Sequence, residues 1–202
     1  LRLDLVHPVV SGNKWFKLKE YLKEAQSLNK KIILTYGGAY SNHIVATAAA
    51  AKQNGFESIG IIRGEKPAVL SSTLRNAIGF GMNLFFLSRI DYKSKLIPPQ
   101  FFAHYNWEDV YVINEGGYGK KGVEGAKTIL ELVDPSPYTH IIDAVGTGTT
   151  IAGLVAGSNK DQIVIGISSM KNNFSLKEET EKLLSEENRR RFILIHDYHF
   201  GG

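Results

Sequence analysis

The feature that most constrains this chain is a repeated unit: an apolar strand, a glycine-containing turn, then a helix-like segment. Lys31–Tyr36 reads as a buried strand ending at Gly37 and Gly38, and Ser41–Asn54 as a helix stopped by Gly55. Ser58–Arg63 is an apolar run of the kind parallel sheets bury. Leu70–Phe80 follows as a helix with Ser71 or Ser72 as its cap, and Asn83–Ser88 as a third strand. The stretch from Asp91 to Trp107 is irregular and punctuated by Pro98 and Pro99. The alternation then resumes. Val110–Ile113, His140–Val145, Ile163–Ser168 and Phe192–Ile195 are predicted strands. Gly122–Val133, a small-residue segment ending near Ala156, and Leu176–Leu184 are predicted helices. Strands alternating with helices imply βαβ units and doubly wound parallel sheets, with the break between two such units near Pro98.

Composition narrows the chemistry. The chain has 202 residues, 43% apolar and 22% charged, which suffices for a sizeable core. It has no cysteine, which excludes a disulfide framework, a thiolate metal site and a cysteine nucleophile. No metal site is expected. The net charge of +4 invites a nucleic-acid reading. The lysines are scattered, however, and Arg189, Arg190 and Arg191 follow Glu186 and Glu187 as a solvated helix end would. No nucleic-acid partner is expected. No apolar run approaches a membrane span, and a cytoplasmic location is expected. The chain opens on Leu1 rather than methionine, so a preceding segment is expected.

Ligands of open parallel sheets bind beyond the carboxyl ends of the strands. Gly146-Thr147-Gly148-Thr149-Thr150 follows a predicted strand and opens a helix. Its glycines allow close backbone approach, the helix start offers N–H donors, and the threonines add hydroxyls. It is neither a P-loop nor the dinucleotide fingerprint, since Ile151 stands where the third glycine belongs. A strand-to-helix turn with no ligand would look the same. Lys14 and Lys17, three apart, share a face if their segment is helical. Two ammonium groups on one face attract an anion and lower the first pKa. A basic helix with Trp15, Phe16 and Leu18 packed inward is the simpler reading of that segment alone. Ser41, Asn42 and His43 open another helix, where they could meet a carboxylate or simply cap it. His43 could act as a base. A lone helical histidine is more often a satisfied polar residue, and that is the reading taken.

Together these segments resemble the 1-aminocyclopropane-1-carboxylate deaminase / D-cysteine desulfhydrase family, within the fold type II, tryptophan-synthase-β-like enzymes that use pyridoxal 5'-phosphate. Gly12-Asn13-Lys14 with Lys17-Leu18 looks like the family's cofactor-lysine motif. Ser41-Asn42-His43 looks like its Ser-Asn-His or Ser-Asn-Gln segment, and Glu115-Gly116-Gly117 like its Glu-Gly-Gly turn. The Gly146–Thr150 loop looks like its phosphate loop. Order and spacing agree across the four. The resemblance implies two three-layer αβα domains: a larger one from 1–28 plus 107–202, incomplete at its C-terminus, and a smaller one from 29–106. It implies Lys14 as the Schiff-base lysine, and Lys17 with Gly146, Thr147, Gly148, Thr149 and Thr150 around the phosphate. Asn42 would meet the ring oxygen. Ser41 would bind the substrate carboxylate or assist proton transfer, with His43 alongside in the substrate-binding segment. The implied activity is release of ammonia from a small amino acid by a homodimer. His43 leans to the desulfhydrase side, where deaminases tend to show glutamine. Phe16 and Val45 stand where family members often carry arginine. The family also continues past His199–Gly202, and the groups meeting the pyridine nitrogen, with a substrate tyrosine, belong there. A phosphate-metabolite-binding domain without catalysis, or an inactive remnant, is the alternative.

Overall fold

The computed structural model describes residues 1–198; His199 to Gly202 lie outside the described residues. Packing separates the chain into a first unit, Leu1–Gly117, and a second from Tyr118 onward.

The first unit begins with α1 (Asn13–Ser27), β1 (Ile32–Gly38), α2 (Asn42–Gln53), β2 (Glu57–Arg63), α3 (Ser72–Gly79) and β3 (Met82–Leu87). Two short helices, α4 (Arg89–Lys93) and α5 (Pro99–Phe102), fill the irregular stretch before β4 (Val110–Ile113). The strands run parallel in the order β3-β2-β1-β4. Side chains alternate across a strand. Ile33 therefore joins Leu18, Leu22, Ala46 and Ala50 from α1 and α2 on one face. Leu34, Tyr36, Ile59 and Ile61 join Tyr92 and Phe101 from α4 and α5 on the other. Helices cover both faces, which makes this unit three-layered. The alanine run of α2 permits its close seat on β1. Gly37 sharpens the fit, since a Cβ there would lie 2.6 Å from Ile44 Cγ1.

The second unit comprises α6 (Lys120–Lys127), β5 (His140–Val145), α7 (Thr149–Gly157), β6 (Ile163–Ser168), α8 (Leu176–Glu181) and β7 (Phe192–Ile195). Its strands are parallel in the order β5-β6-β7. Helices α6 and α7 approach closely because Gly153 faces Ala126, where a Cβ would sit 2.5 Å from that residue's own. One sheet face is buried through Val145 and Val164. The opposite face leaves Ile142, Ile163 and Ile193 at 65%, 41% and 51% exposure.

The expected class, α/β with parallel sheets, is what both units show. The expected partition into 1–28 plus 107–202 and 29–106 cuts elsewhere than the packing does. Strand β4 pairs with β1, and α1 lies against α2 and the Gly116 turn, which draws both into the first unit.

Candidate active site

In the first unit, α1 starts after Gly12, which is in the positive-φ region (φ 65°) that a side chain would resist. Lys14 is the second helical residue, partly buried, and its Nζ donates to Asn13 Oδ1 at 2.9 Å. One turn on, Lys17 is only 2% exposed, and its Nζ donates to the Gly116 carbonyl at 2.7 Å. A further turn on, the Tyr21 hydroxyl donates to the Gly117 carbonyl at 3.3 Å. The turn they hold has φ 67° at Gly116 and 70° at Gly117, and closes through Gly117 N–H to Asn114 O at 2.9 Å. Thus α1 is pinned to the end of β4 by two side chains on one face. Phe16 and Leu18 are buried as the packed-helix reading expects, while Trp15 stacks on His7 with centroids 4.7 Å apart. Lys17, however, does not sit on a solvated face. Burying an ammonium requires a partner, and the glycine turn supplies one.

Residues 41–43 open α2. Ser41 occupies the N-cap position, but its side chain makes no capping bond, so simple capping does not account for it. Asn42 is exposed. His43 is 1% exposed, with Nε2 2.8 Å from Thr35 Oγ1. Thr35 Oγ1 in turn donates to the Ile113 carbonyl at 2.8 Å, across the β1–β4 register. A hydroxyl has one proton, and the carbonyl takes it. Thr35 must therefore accept from His43, which fixes the proton on Nε2 and leaves Nδ1 as a bare acceptor. That Nδ1 is buried without a hydrogen-bond partner. Burial first, then the Lys14 and Lys17 ammonium groups, hold the imidazole's pKa well below its ordinary value. His43 is thus neutral and only half satisfied, which differs from the satisfied polar residue expected. Nothing in the local sequence marks Thr35 as its partner beyond a lone hydroxyl in an apolar strand.

In the second unit, β5 runs into the Gly146–Thr150 loop and α7. Gly148 caps α7 in the left-handed region (φ 82°), without a side-chain capping bond. A Cβ at Gly148 would lie 2.4 Å from Thr180 Oγ1, so α8 closes one side of the loop. At Gly146 a Cβ would meet nothing within 4 Å, so the other side is open. Thr149 and Thr150 are buried, and Thr147 Oγ1 lies 3.4 Å from Thr149 Oγ1. An open glycine leading into a helix start suits an anion, including the phosphate of pyridoxal phosphate. Thr180 is a contributor that the sequence pattern did not single out.

The structure therefore brings Lys14, Lys17 and His43 together in the first unit, with Ser41 and Asn42 next to His43 in the chain. It builds Gly146, Thr147, Gly148, Thr149 and Thr150 into one loop of the second. Among the described residues, no group of acidic, histidine or cysteine side chains could hold a metal ion. Likewise, no helix is long and apolar enough to cross a membrane.

No protein-family model matches the chain. A Thermotoga maritima protein, provisionally named a 1-aminocyclopropane-1-carboxylate deaminase, is 37% identical over 166 residues, covering 77% of this chain and 52% of that protein. The bifunctional D-cysteine desulfhydrase/1-aminocyclopropane-1-carboxylate deaminase of Arabidopsis thaliana is 30% identical over 178 residues, 78% of this chain and 44% of that protein. A solved structure of an ACC deaminase homologue superposes with a TM-score of 0.79 at 23% identity, covering 100% of this chain and 67% of that one. The chain spans about half the length of the curated relatives it matches.

Proposed function

The chain belongs to the 1-aminocyclopropane-1-carboxylate deaminase / D-cysteine desulfhydrase family, and on that premise we propose that it carries the lysine and phosphate loop of a pyridoxal-phosphate-dependent deaminase or carbon–sulfur lyase. The observation that carries this reading is Lys14 at the start of α1, beside a second, buried lysine and a neutral histidine.

Pyridoxal phosphate supplies an electron sink for negative charge developing next to an amine. Lys14 Nζ is the group that would hold it covalently. The backbone of Gly146 to Thr150 would hold its phosphate, consistent with the open side of Gly146 and the start of α7. Lys17 is proposed as a further contact to that phosphate. Asn42 would meet the ring oxygen, and Ser41 the substrate carboxylate. As a neutral amine, Lys14 Nζ can accept a proton from the substrate carbon. His43, bare at Nδ1, can accept a hydrogen bond from a substrate donor but cannot deliver a proton from that atom.

D-cysteine and 1-aminocyclopropane-1-carboxylate are the proposed substrates, with ammonia as the common product, and the working form is proposed to be a cytoplasmic homodimer. Borohydride reduction of the cofactor-loaded protein, followed by peptide mass mapping, should place the label on Lys14. Lys14→Ala should lose the visible absorbance band and ammonia release. A label on another lysine would refute the assignment.

A further inference from the structure

Apart from residues 14, 17, 41–43 and 146–150, the first unit's other strand ends carry a concavity of their own. Beyond β2, β3 and β4 lies a cleft of about 530 Å³, lined by Arg63, Arg89, Tyr92, Lys93, Lys95 and Glu115. This is the size of small-metabolite sites, and such strand ends are where open sheets bind ligands. Four cationic side chains face one carboxylate, leaving three positive charges in excess. Among the described residues, Arg63, Arg89 and Lys93 take part in no salt bridge. Cations are normally spread apart or paired; here they converge on one concavity from the end of β2, from both ends of α4 and from the loop after it.

The cleft is also built rather than merely charged. The Lys95 ammonium is held by Asn114 Oδ1 at 2.9 Å and lies 5.8 Å from the Tyr36 ring centroid. The Lys95 carbonyl accepts the Tyr36 hydroxyl at 3.4 Å, and its backbone takes φ 51°, the left-handed turn that ends α4, with Leu96 N–H donating to the Asp91 carbonyl at 3.1 Å. Tyr92 is 7% exposed. Its hydroxyl lies near Glu115 but makes no hydrogen bond of ordinary geometry. Burial and the neighbouring carboxylate keep that phenol protonated, so an O–H donor is enclosed at the cleft beside Glu115. Two guanidinium forks, two ammonium groups and one buried hydroxyl match several oxygens carrying more than one negative charge.

We propose that this cleft binds a small polyanion, a metabolite carrying a diphosphate or several carboxylates. The test is calorimetric titration of the 202-residue protein with pyrophosphate and, separately, with citrate. Neither probe has an aldehyde, so neither condenses with Lys14, and the arginine variants and protection below separate this cleft from the Gly146–Thr150 loop. Saturable one-to-one binding of either is expected, and the tighter of the two identifies phosphoryl or carboxyl groups as the natural ligand's. Arg63→Gln with Arg89→Gln should weaken binding at least about tenfold. Lys160→Gln with Arg190→Gln, which removes the same charge from the second unit, should leave it within about twofold. Phenylglyoxal modification of the unaltered protein, read by mass spectrometry, should show Arg63 and Arg89 protected by the tighter probe. Absence of saturation with both probes at millimolar concentration, equal weakening in the two double variants, or unprotected arginines would overturn the proposal.

Discussion

At the scale of single residues, the first-unit site is defined by how each proton is placed. Lys17→Met keeps the volume but strands the Gly116 carbonyl, and should cost about 1–3 kcal/mol. A lower urea midpoint at unchanged slope would record it; an unaltered midpoint would show that the tie is not structural. His43 sets a pH dependence. Its folded pKa lies well below normal, while in the unfolded chain it is about 6.5. Above that pH both states are neutral and stability is unaffected. Below it the unfolded chain takes up a proton that the folded one refuses, so stability falls on acidification by up to about 1.4 kcal/mol per pH unit from this group. Melting curves at stepwise lower pH should show a shallower decline in His43→Gln than in the parent. Lys14 and Lys17 were legible in the sequence as a pair. The His43–Thr35–Ile113 relay was not, because its members lie 8 and 78 positions apart and meet only once α2 seats on β1 and β1 pairs with β4.

At the scale of elements, each glycine turn works with the helix that follows it. Gly148→Ala would force a side chain into the left-handed region and against Thr180, with an expected loss of about 1–3 kcal/mol. Adding Thr180→Ala should recover the steric part and leave the backbone part, which a double-mutant cycle of denaturation midpoints would separate. Strands β4, β5, β6 and β7 fall where their apolar runs predict, although in β5, β6 and β7 the contiguous run covers one buried and one exposed face. The predicted Gly122–Val133 helix instead ends as α6 at Lys127 and tightens into a 3₁₀ turn over Thr128–Leu132. Thr128 Oγ1 donates to the Gly125 carbonyl at 2.8 Å, a side-chain competition for backbone that periodicity does not register. The span between Asp91 and Trp107 was opaque for a related reason. Its order comes from Phe101 packing against Phe85 of β3 as well as its near neighbours Tyr105 and Trp107, and the contact to β3 is one that local periodicity does not register.

At the scale of the whole molecule, the parallel α/β class was legible because alternation is a property of the entire chain. The partition into units was harder to read: β4 follows a proline-punctuated break in sequence yet pairs with β1. Nor do the runs in β5, β6 and β7 reveal which face is left exposed among the described residues. Ile142, Ile165 and Ile193 stand in one cross-strand row, with Ala144, Ile167 and Ile195 in the next. A naphthalene-sulfonate dye should therefore fluoresce on the native protein without denaturant, and Ile142→Thr with Ile193→Thr should dim it while leaving the melting temperature nearly unchanged. Persistent brightness in that variant would place the dye elsewhere.

That row of isoleucines also sets how the purified chain should be handled. Water releases from such surfaces more readily when warm and in sulfate, so turbidity should grow with heating and salting, and recede on ice. Dilute, cold, low-salt storage is the practical corollary of three strands wetted on their oily side.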